Sequence, residues 1–170
     1  MTSQEQHKLE IAVVASGSDL YGLVHEIAGI FLTLPEQFEV FLFSNSIFDS
    51  PLDKRFHVLE VGHQLDELTK NVDLVLTTSS TSSLEFLARG LCVGIACSVD
   101  NQEQYYNSLG ELAVAAQIGL SNLDKDWELD KEMIYSLVAS SELRGDLIAK
   151  AKGLLDFKGA SRIVDAITNL

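Results

Sequence analysis

The sequence predicts a single α/β domain built on a doubly wound parallel sheet. Short apolar segments alternate with segments whose apolar residues recur at helical spacing through most of the 170 residues. The segment Val93–Cys97 is nearly all apolar, as expected of a strand that helices cover on both faces. Right-handed crossovers between such strands leave few other arrangements. In this fold, ligands bind beyond the carboxyl ends of the strands, near the point where the strand order reverses.

Each element is assigned from its periodicity and from the residues that end it. Strands are predicted at 11–16, 38–43, 56–61, 73–77 and 93–97. Helices are predicted at 20–34, 65–70, 82–89 and 102–116, and Pro35 and Gly90 close the first and third of them. The remaining third of the chain is predicted to be helical, with a break at Gly159. The whole chain, 1–170, is predicted to be one domain with a polar leader at 1–9.

Composition narrows the classes of partner. The net charge is −13 with only 12 Lys and Arg residues, which argues against nucleic acid, because phosphate backbones are bound through basic clusters. A small anionic ligand is still allowed, since local N–H dipoles act at short range where a diffuse field is screened. No apolar run approaches the roughly 20 residues of a membrane span, and the polar start lacks the core of a secretion signal. A soluble, cytoplasmic protein is expected.

The cysteines and histidines predict neither a disulfide nor a metal site. Cys92 and Cys97 lie at the two ends of one predicted strand, too far apart for their Cα atoms to meet the limit of about 7 Å for a disulfide. They are expected to be free buried thiols. The four histidines have no HxxxH or CxxC companions, so we expect no metal ion and no cofactor.

A run of hydroxyl residues from Thr77 to Ser83 joins a predicted strand to a helix that carries Glu85. Such a junction aims backbone N–H groups and hydroxyls at one point, the arrangement that holds a phosphate at a helix N-terminus. The alternative is a capping box, in which Ser82 caps the helix and Glu85 reaches back to the cap N–H. Capping explains these two residues but not the preceding hydroxyls, and both interpretations can hold together.

Two further loops are predicted at the same end of the sheet. Gly17, Ser18 and Asp19 follow the first strand without the G-x-G-x-x-G of a dinucleotide fold, which disfavours NAD, and without a P-loop. Their alternative role is a turn followed by a helix cap. Asn101 and Gln102 follow the fifth strand with amide groups that suit sugar hydroxyls or a base edge. Their alternative role is an Asx-type cap.

Five segments, in order, resemble the C-terminal half of the UDP-sugar hydrolase of pseudaminic-acid biosynthesis, an enzyme of the GT-B superfamily. They are 15–19, 72–85, 88–91, 99–102 and 158–160. The resemblance covers nearly the whole chain and extends to the lipid II glycosyltransferase of peptidoglycan synthesis. It implies a Rossmann-like domain that binds the UDP part of a nucleotide sugar in a cleft between two such domains.

The resemblance also implies a role for each candidate residue. Glu85 would hold the ribose hydroxyls, and Asn101 and Gln102 would face the sugar. The diphosphate would lie against the loop of Ser79, Ser80, Thr81 and Ser82. Gly17, Ser18 and Asp19 would border the same cleft. UDP or a UDP-sugar is therefore the expected ligand.

The chain departs from the family pattern in two places. Ser79 and Ser80 stand where the family has a Gly-Gly pair, and their Cβ atoms narrow the approach to a phosphate. The N-terminal domain that supplies the acceptor site, and in the hydrolase the catalytic histidine, has no counterpart ahead of Ile11. We therefore assign no catalytic residue, since the candidate bases His25 and His63 have no paired acid in the sequence.

One half of a GT-B hydrolase or glycosyltransferase is expected to bind its ligand and barely turn it over, because both halves position the reactants. The chain is then an excised domain or a subunit that needs an N-terminal acceptor domain or partner. The alternative is a non-catalytic interaction module that keeps the fold and has lost nucleotide binding. A homo-oligomer is left open.

Overall fold

The computed structural model of the chain describes residues 8–15, 19, 21–35, 38–48, 51–60, 67, 69–121 and 126–169. They form a sheet of seven strands in the order β3-β2-β1-β4-β5-β6-β7. All neighbouring strands are parallel except β6 and β7. The strands are β1 (Leu9–Val14), β2 (Phe38–Phe43), β3 (Phe56–Leu59), β4 (Leu74–Thr78), β5 (Cys92–Cys97), β6 (Ala116–Ser121) and β7 (Trp127–Leu129).

Helices cover both faces of this sheet. They are α1 (Leu23–Leu32), α2 (Thr81–Ala88), α3 (Glu103–Glu111), α4 (Lys131–Ala139), α5 (Ser141–Leu154) and α6 (Gly159–Thr168), with a 3₁₀ turn at Asp100–Gln102. None of the described helices has both the length and the apolar character that crossing a bilayer requires. The predicted doubly wound α/β fold is confirmed, as is the helical character of the C-terminal end.

Successive side chains of β4 point to opposite faces of the sheet, and each face packs against its own apolar cluster. Leu74 and Leu76 pack into a cluster with residues of α1 and α4, whereas Val75 packs on the opposite face with residues of α2 and α3. All six residues of β5 are buried, as the apolar run predicts. Cys92 and Cys97 are free and buried at its ends, which confirms the prediction made for them.

The prediction of one helix from 102 to 116 is wrong in its second half. α3 ends at Glu111, and Ala113 has a left-handed backbone with φ +50°. The amide of Val114 then donates to the carbonyl of Leu109 and closes the helix. Ala116 instead begins β6, which pairs with β5 and β7.

The region after α3 therefore contains two strands where helix was predicted. Gly119 allows their close pairing: its φ is +146°, and an added Cβ would lie 2.5 Å from the carbonyl oxygen of Glu128. The third strand ends at Leu59 rather than at 61. Half of the residues of the helix predicted at 65–70, namely 65, 66 and 68, lie outside the described residues, as does His63.

The strand order reverses between β1 and β4. β1 is followed in sequence by β2 on one side, and β4 is followed by β5 on the other. The carboxyl ends of these two central strands open the crevice where ligands bind in sheets of this kind. The loops after β1, β4 and β5 therefore lie at the expected ligand end.

Candidate functional site

The loop after β4 leads directly into α2. Ser80 is the N-cap residue, with an extended backbone, and Thr81 and Ser82 are the first two helical residues. Their amides have no partner within the helix, because the first N–H groups of any helix lack one. A cluster of N–H groups at the positive end of α2 therefore points into the crevice beside β1.

The predicted capping box is wrong. It required Ser82 to be the cap, but the helix begins at Thr81 and the cap is Ser80, two residues earlier. The hydroxyl of Ser80 makes no capping hydrogen bond to a described residue. Instead, the backbone amide and the hydroxyl of Ser83 both donate to the Ser80 carbonyl, the hydroxyl at 2.6 Å. Ser82 and Glu85 are therefore not occupied in a cap.

Two hydroxyls at this junction are buried without a partner. The Oγ1 atom of Thr77 and the Oγ atom of Ser80 have no hydrogen-bond partner among the described residues. A buried hydroxyl left unpaired costs roughly 1–3 kcal/mol, so native proteins rarely leave one unsatisfied without a reason. Thr77 lies near the end of β4, and Ser80 caps the helix that follows it, so both hydroxyls lie where β4 leads into α2.

Ser79 ties the loops after β4 and β5 together. Its side chain is fully buried, its amide donates to the Ala96 carbonyl, and its hydroxyl donates to the Gln102 carbonyl at 3.3 Å. The side-chain oxygen of Gln102 accepts from the amide and the hydroxyl of Ser98, at 3.1 and 2.8 Å. Ser79 and Gln102 thus brace the site, and this bracing takes the place of the Asx-type cap considered for the loop.

Glu85 lies on the exposed surface of α2, one turn beyond the hydroxyls. Its carboxylate makes no hydrogen bond or ion pair with a described residue, and only its backbone carbonyl is used, by the amide of Arg89. A solvent-facing carboxylate with free acceptor oxygens is available to a ligand that offers two hydroxyl donors.

Asp19 fixes the loop after β1. Its backbone is left-handed, with φ +47°, and its carboxylate accepts from the amide of Val24 at 3.3 Å in the first turn of α1. Burial raises the pKa of this carboxyl, and the amides of Val24 and Leu23 offset part of the rise. The predicted helix-capping role of this loop thus falls to Asp19. Gly17 and Ser18 lie outside the described residues.

A cleft of about 710 Å³ opens next to these loops, a size suited to a small-molecule ligand. The loop after β5 forms its floor, including the exposed Asn101, and Leu120 and Ser121 at the end of β6 form one side. Asp100 and Glu103 line it, and no described lining residue is basic. The start of α2 and the cleft thus differ in charge: N–H groups lie at the start of α2, and carboxylates line the cleft.

Three residues near the cleft were not predicted as part of the site. Tyr21 and Cys97 line it, and Trp127 donates a hydrogen bond to the carbonyl of Tyr21 at 2.7 Å. Burial raises the pKa of the Cys97 thiol. The position of Cys97 at the end of a predicted strand indicated that it could lie near the ligand end of the sheet. The hydrogen bond between Tyr21 and Trp127 joins residues 106 positions apart, and no sequence pattern indicated it.

The described histidines do not form an acid–base pair at the cleft. The Nε2 atom of His25 lies 3.1 Å from the carbonyl oxygen of Ile47, and its ring stacks on Phe48. His57 pairs with Glu39 on the edge of the sheet at β2 and β3. Within the described part of the chain, no group of three or more His, Cys, Asp and Glu residues could hold a metal ion.

Comparisons with known proteins agree with the fold. No protein-family profile matches the chain, and a search of curated proteins finds no match. Solved structures do match: MurG of Acinetobacter baumannii has a TM-score of 0.74 at 14% identity. UGT89C1 of Arabidopsis thaliana, solved with UDP-L-rhamnose, has a TM-score of 0.68 at 12% identity. A putative UDP-N-acetylglucosamine 2-epimerase from Listeria monocytogenes has a TM-score of 0.63 at 18% identity.

The chain is covered almost fully by these matches but spans only part of each neighbour. The aligned regions include 98%, 89% and 94% of this chain, and 51%, 39% and 44% of the three neighbours in the same order. The chain has the Rossmann-like α/β fold of GT-B C-terminal domains. At these identities the likeness establishes the fold and leaves the activity open.

Proposed function

We propose that the chain is the nucleotide-sugar-binding domain or subunit of a GT-B glycosyltransferase or nucleotide-sugar hydrolase. The observation that carries the proposal is the pair of buried, unpartnered hydroxyls of Thr77 and Ser80 where β4 leads into α2. Hydrogen bonds to a diphosphate would satisfy them, together with the amides of Thr81 and Ser82. UDP is the proposed nucleotide, because UGT89C1 was solved with a UDP-sugar.

The remaining parts of the ligand are proposed from the resemblance, and the positions of Glu85 and Asn101 are compatible with it. Glu85 is proposed to accept from the ribose hydroxyls, and Asn101 to face the sugar in the 710 Å³ cleft. Gln102, Ser79 and Asp19 support the site by holding the loops rather than by touching the ligand through their side chains. Gly17 and Ser18, which lie outside the described residues, are proposed to border the same cleft.

A second domain is proposed to complete the reaction. In this mechanism the described domain holds the leaving diphosphate, and the attacking hydroxyl or water is directed from the other side of the cleft. Turnover by this chain alone should be negligible, since His25 bonds to a backbone carbonyl and is stacked on Phe48. Activity should appear when a second Rossmann-like domain, in the same or another chain, is supplied. A hydrolase of the pseudaminic pathway is the specific form suggested by the sequence resemblance.

Isothermal titration tests the binding step. UDP should bind with a dissociation constant of roughly 10 μM to 1 mM, because only one side of the cleft is present. Uridine should bind at least about tenfold more weakly, since it lacks the charged group that the α2 amides and hydroxyls recognise. Equal affinities for UDP and uridine would contradict the diphosphate assignment.

The alternative is a non-catalytic interaction module with the same fold. One observation favours it: Ser79 and Ser80 occupy positions where the resembled family has glycines, and Ser79 is fully buried against the neighbouring loop. Absence of binding at millimolar UDP would support this alternative.

A further inference from the structure

Trp127 lies directly behind the ligand cleft and is the only tryptophan of the chain. It begins β7 and pairs with Ser121, which lines the cleft at the end of β6. Trp127 itself lines a separate cavity of about 530 Å³ beside α1 and packs against the apolar core. It is therefore placed to support the wall of the cleft without touching a ligand in it.

The indole connects this wall to the loop after β1. Its Nε1–H group donates to the carbonyl oxygen of Tyr21 at 2.7 Å, across 106 residues of sequence. Tyr21 lines the cleft together with Leu120 and Ser121. One hydrogen bond thus joins the loop at the centre of the sheet to the strand at its edge.

Among the described residues of this loop, one residue other than glycine has a left-handed backbone. Asp19, a residue with a Cβ atom, has φ +47°, and Gly22 has φ +67°. Within the loop, the amide of Gly22 donates to the Asp19 carbonyl at 3.0 Å. Left-handed conformations of residues other than glycine persist only where the surroundings hold them. Trp127 provides a fixed donor from outside the loop.

We propose that Trp127 is a positioning residue: its indole N–H fixes the backbone of Tyr21 and so holds the wall that a ligand in the cleft contacts. The identity of that ligand rests on the proposed function, whereas the effect of Trp127 on the Tyr21 backbone in the ligand-free protein does not. The two can therefore be tested separately.

The first test uses the free protein. Trp127→Phe keeps an aromatic ring and removes the hydrogen-bond donor. Amide hydrogen exchange at Gly22 and Val24 should therefore accelerate about twofold to tenfold. Exchange in β1 and β5 should not change. Tyr135→Phe is the matched control, since this hydroxyl lies in the same cavity, 3.4 Å from Thr33, and has no link to Tyr21. Unchanged exchange at Gly22 and Val24 in Trp127→Phe would overturn the proposal.

The second test uses UDP as the probe. Trp127→Phe should weaken UDP binding by about twofold to tenfold. Tyr21→Ala keeps the backbone carbonyl that accepts the indole N–H and removes only the side chain, so the loss should be smaller in that background by the part that the side chain transmits. Equal losses in both backgrounds would contradict action through Tyr21 and indicate general destabilisation. If UDP does not bind the unsubstituted protein, the proposed function fails, and the exchange experiment still decides the role of Trp127.

Discussion

Replacing Ser80 by alanine should stabilise the free protein and weaken ligand binding, opposite to the usual effect at a helix N-cap. Serine at this position normally contributes about 1 kcal/mol through its capping hydrogen bond. Here the Ser80 hydroxyl makes no such bond to a described residue and is buried. Its removal relieves a desolvation cost of roughly 1–3 kcal/mol for an unpaired group. Ser80→Ala should therefore raise the unfolding free energy, by up to about 1 kcal/mol after partial relaxation.

In the proposed site, the same substitution would remove a donor to the diphosphate. A hydrogen bond to a charged group contributes roughly 1.5–3 kcal/mol, so UDP affinity should fall about tenfold or more. Urea unfolding and isothermal titration measure the two effects on the same sample.

Ser83→Ala is the matched control for Ser80→Ala. The Ser83 hydroxyl is fully buried and donates to the Ser80 carbonyl at 2.6 Å. Its loss should destabilise the protein by about 0.5–1.5 kcal/mol. A loss of stability in Ser80→Ala as large as that in Ser83→Ala, or an unchanged UDP affinity, would refute the reasoning.

Three further predictions concern charged groups. Glu85→Gln should change the unfolding free energy by less than about 0.5 kcal/mol, as is usual at the surface, while lowering UDP affinity at least about tenfold; titration and urea unfolding check both. UDP-glucuronate should bind about fivefold more weakly than UDP-glucose at low salt because Asp100 and Glu103 line the cleft, and the difference should narrow at high salt. The Arg55 guanidinium lowers the pKa of Asp53 from 3.8 to about 2. The ionised Asp53 carboxylate therefore contributes its full stabilisation above pH 3.8, and this stabilisation is lost as the pH falls towards 2. In urea unfolding between pH 2 and 5, Asp53→Asn should flatten that part of the pH dependence.

The fold was predictable because its central strands carry strong local signals. The apolar runs of β1, β2, β4 and β5 are buried, and each is bounded by polar or turn residues that the sequence displays. β6 and β7 were missed for a physical reason. β6 (Ala116–Ser121) is as long as β1, but it begins soon after an amphipathic helix, and Gln117 and Gly119 interrupt its apolar residues. A three-residue strand such as β7 is too short for an alternating pattern to show.

The sequence predicted only part of the candidate site. The hydroxyl run placed the loop after β4 correctly, since strand ends in a parallel sheet share one edge. The start of α2 was misjudged by one residue, because several consecutive hydroxyl residues are equally good cap candidates. The pairing of Trp127 with Tyr21 depends on tertiary packing between distant segments, which a single sequence does not encode locally.

Mapping the UDP site by NMR tests the central claim most directly. With backbone amides assigned, titration with UDP should shift the resonances of residues 77–85 and 97–102 most, in proportion to saturation. The amides of Thr81 and Ser82, at the start of α2, should show the largest changes. Shifts concentrated around the opposite end of the sheet, at the cavity lined by Thr69 and Arg89, would contradict the account, as would no shifts at millimolar UDP.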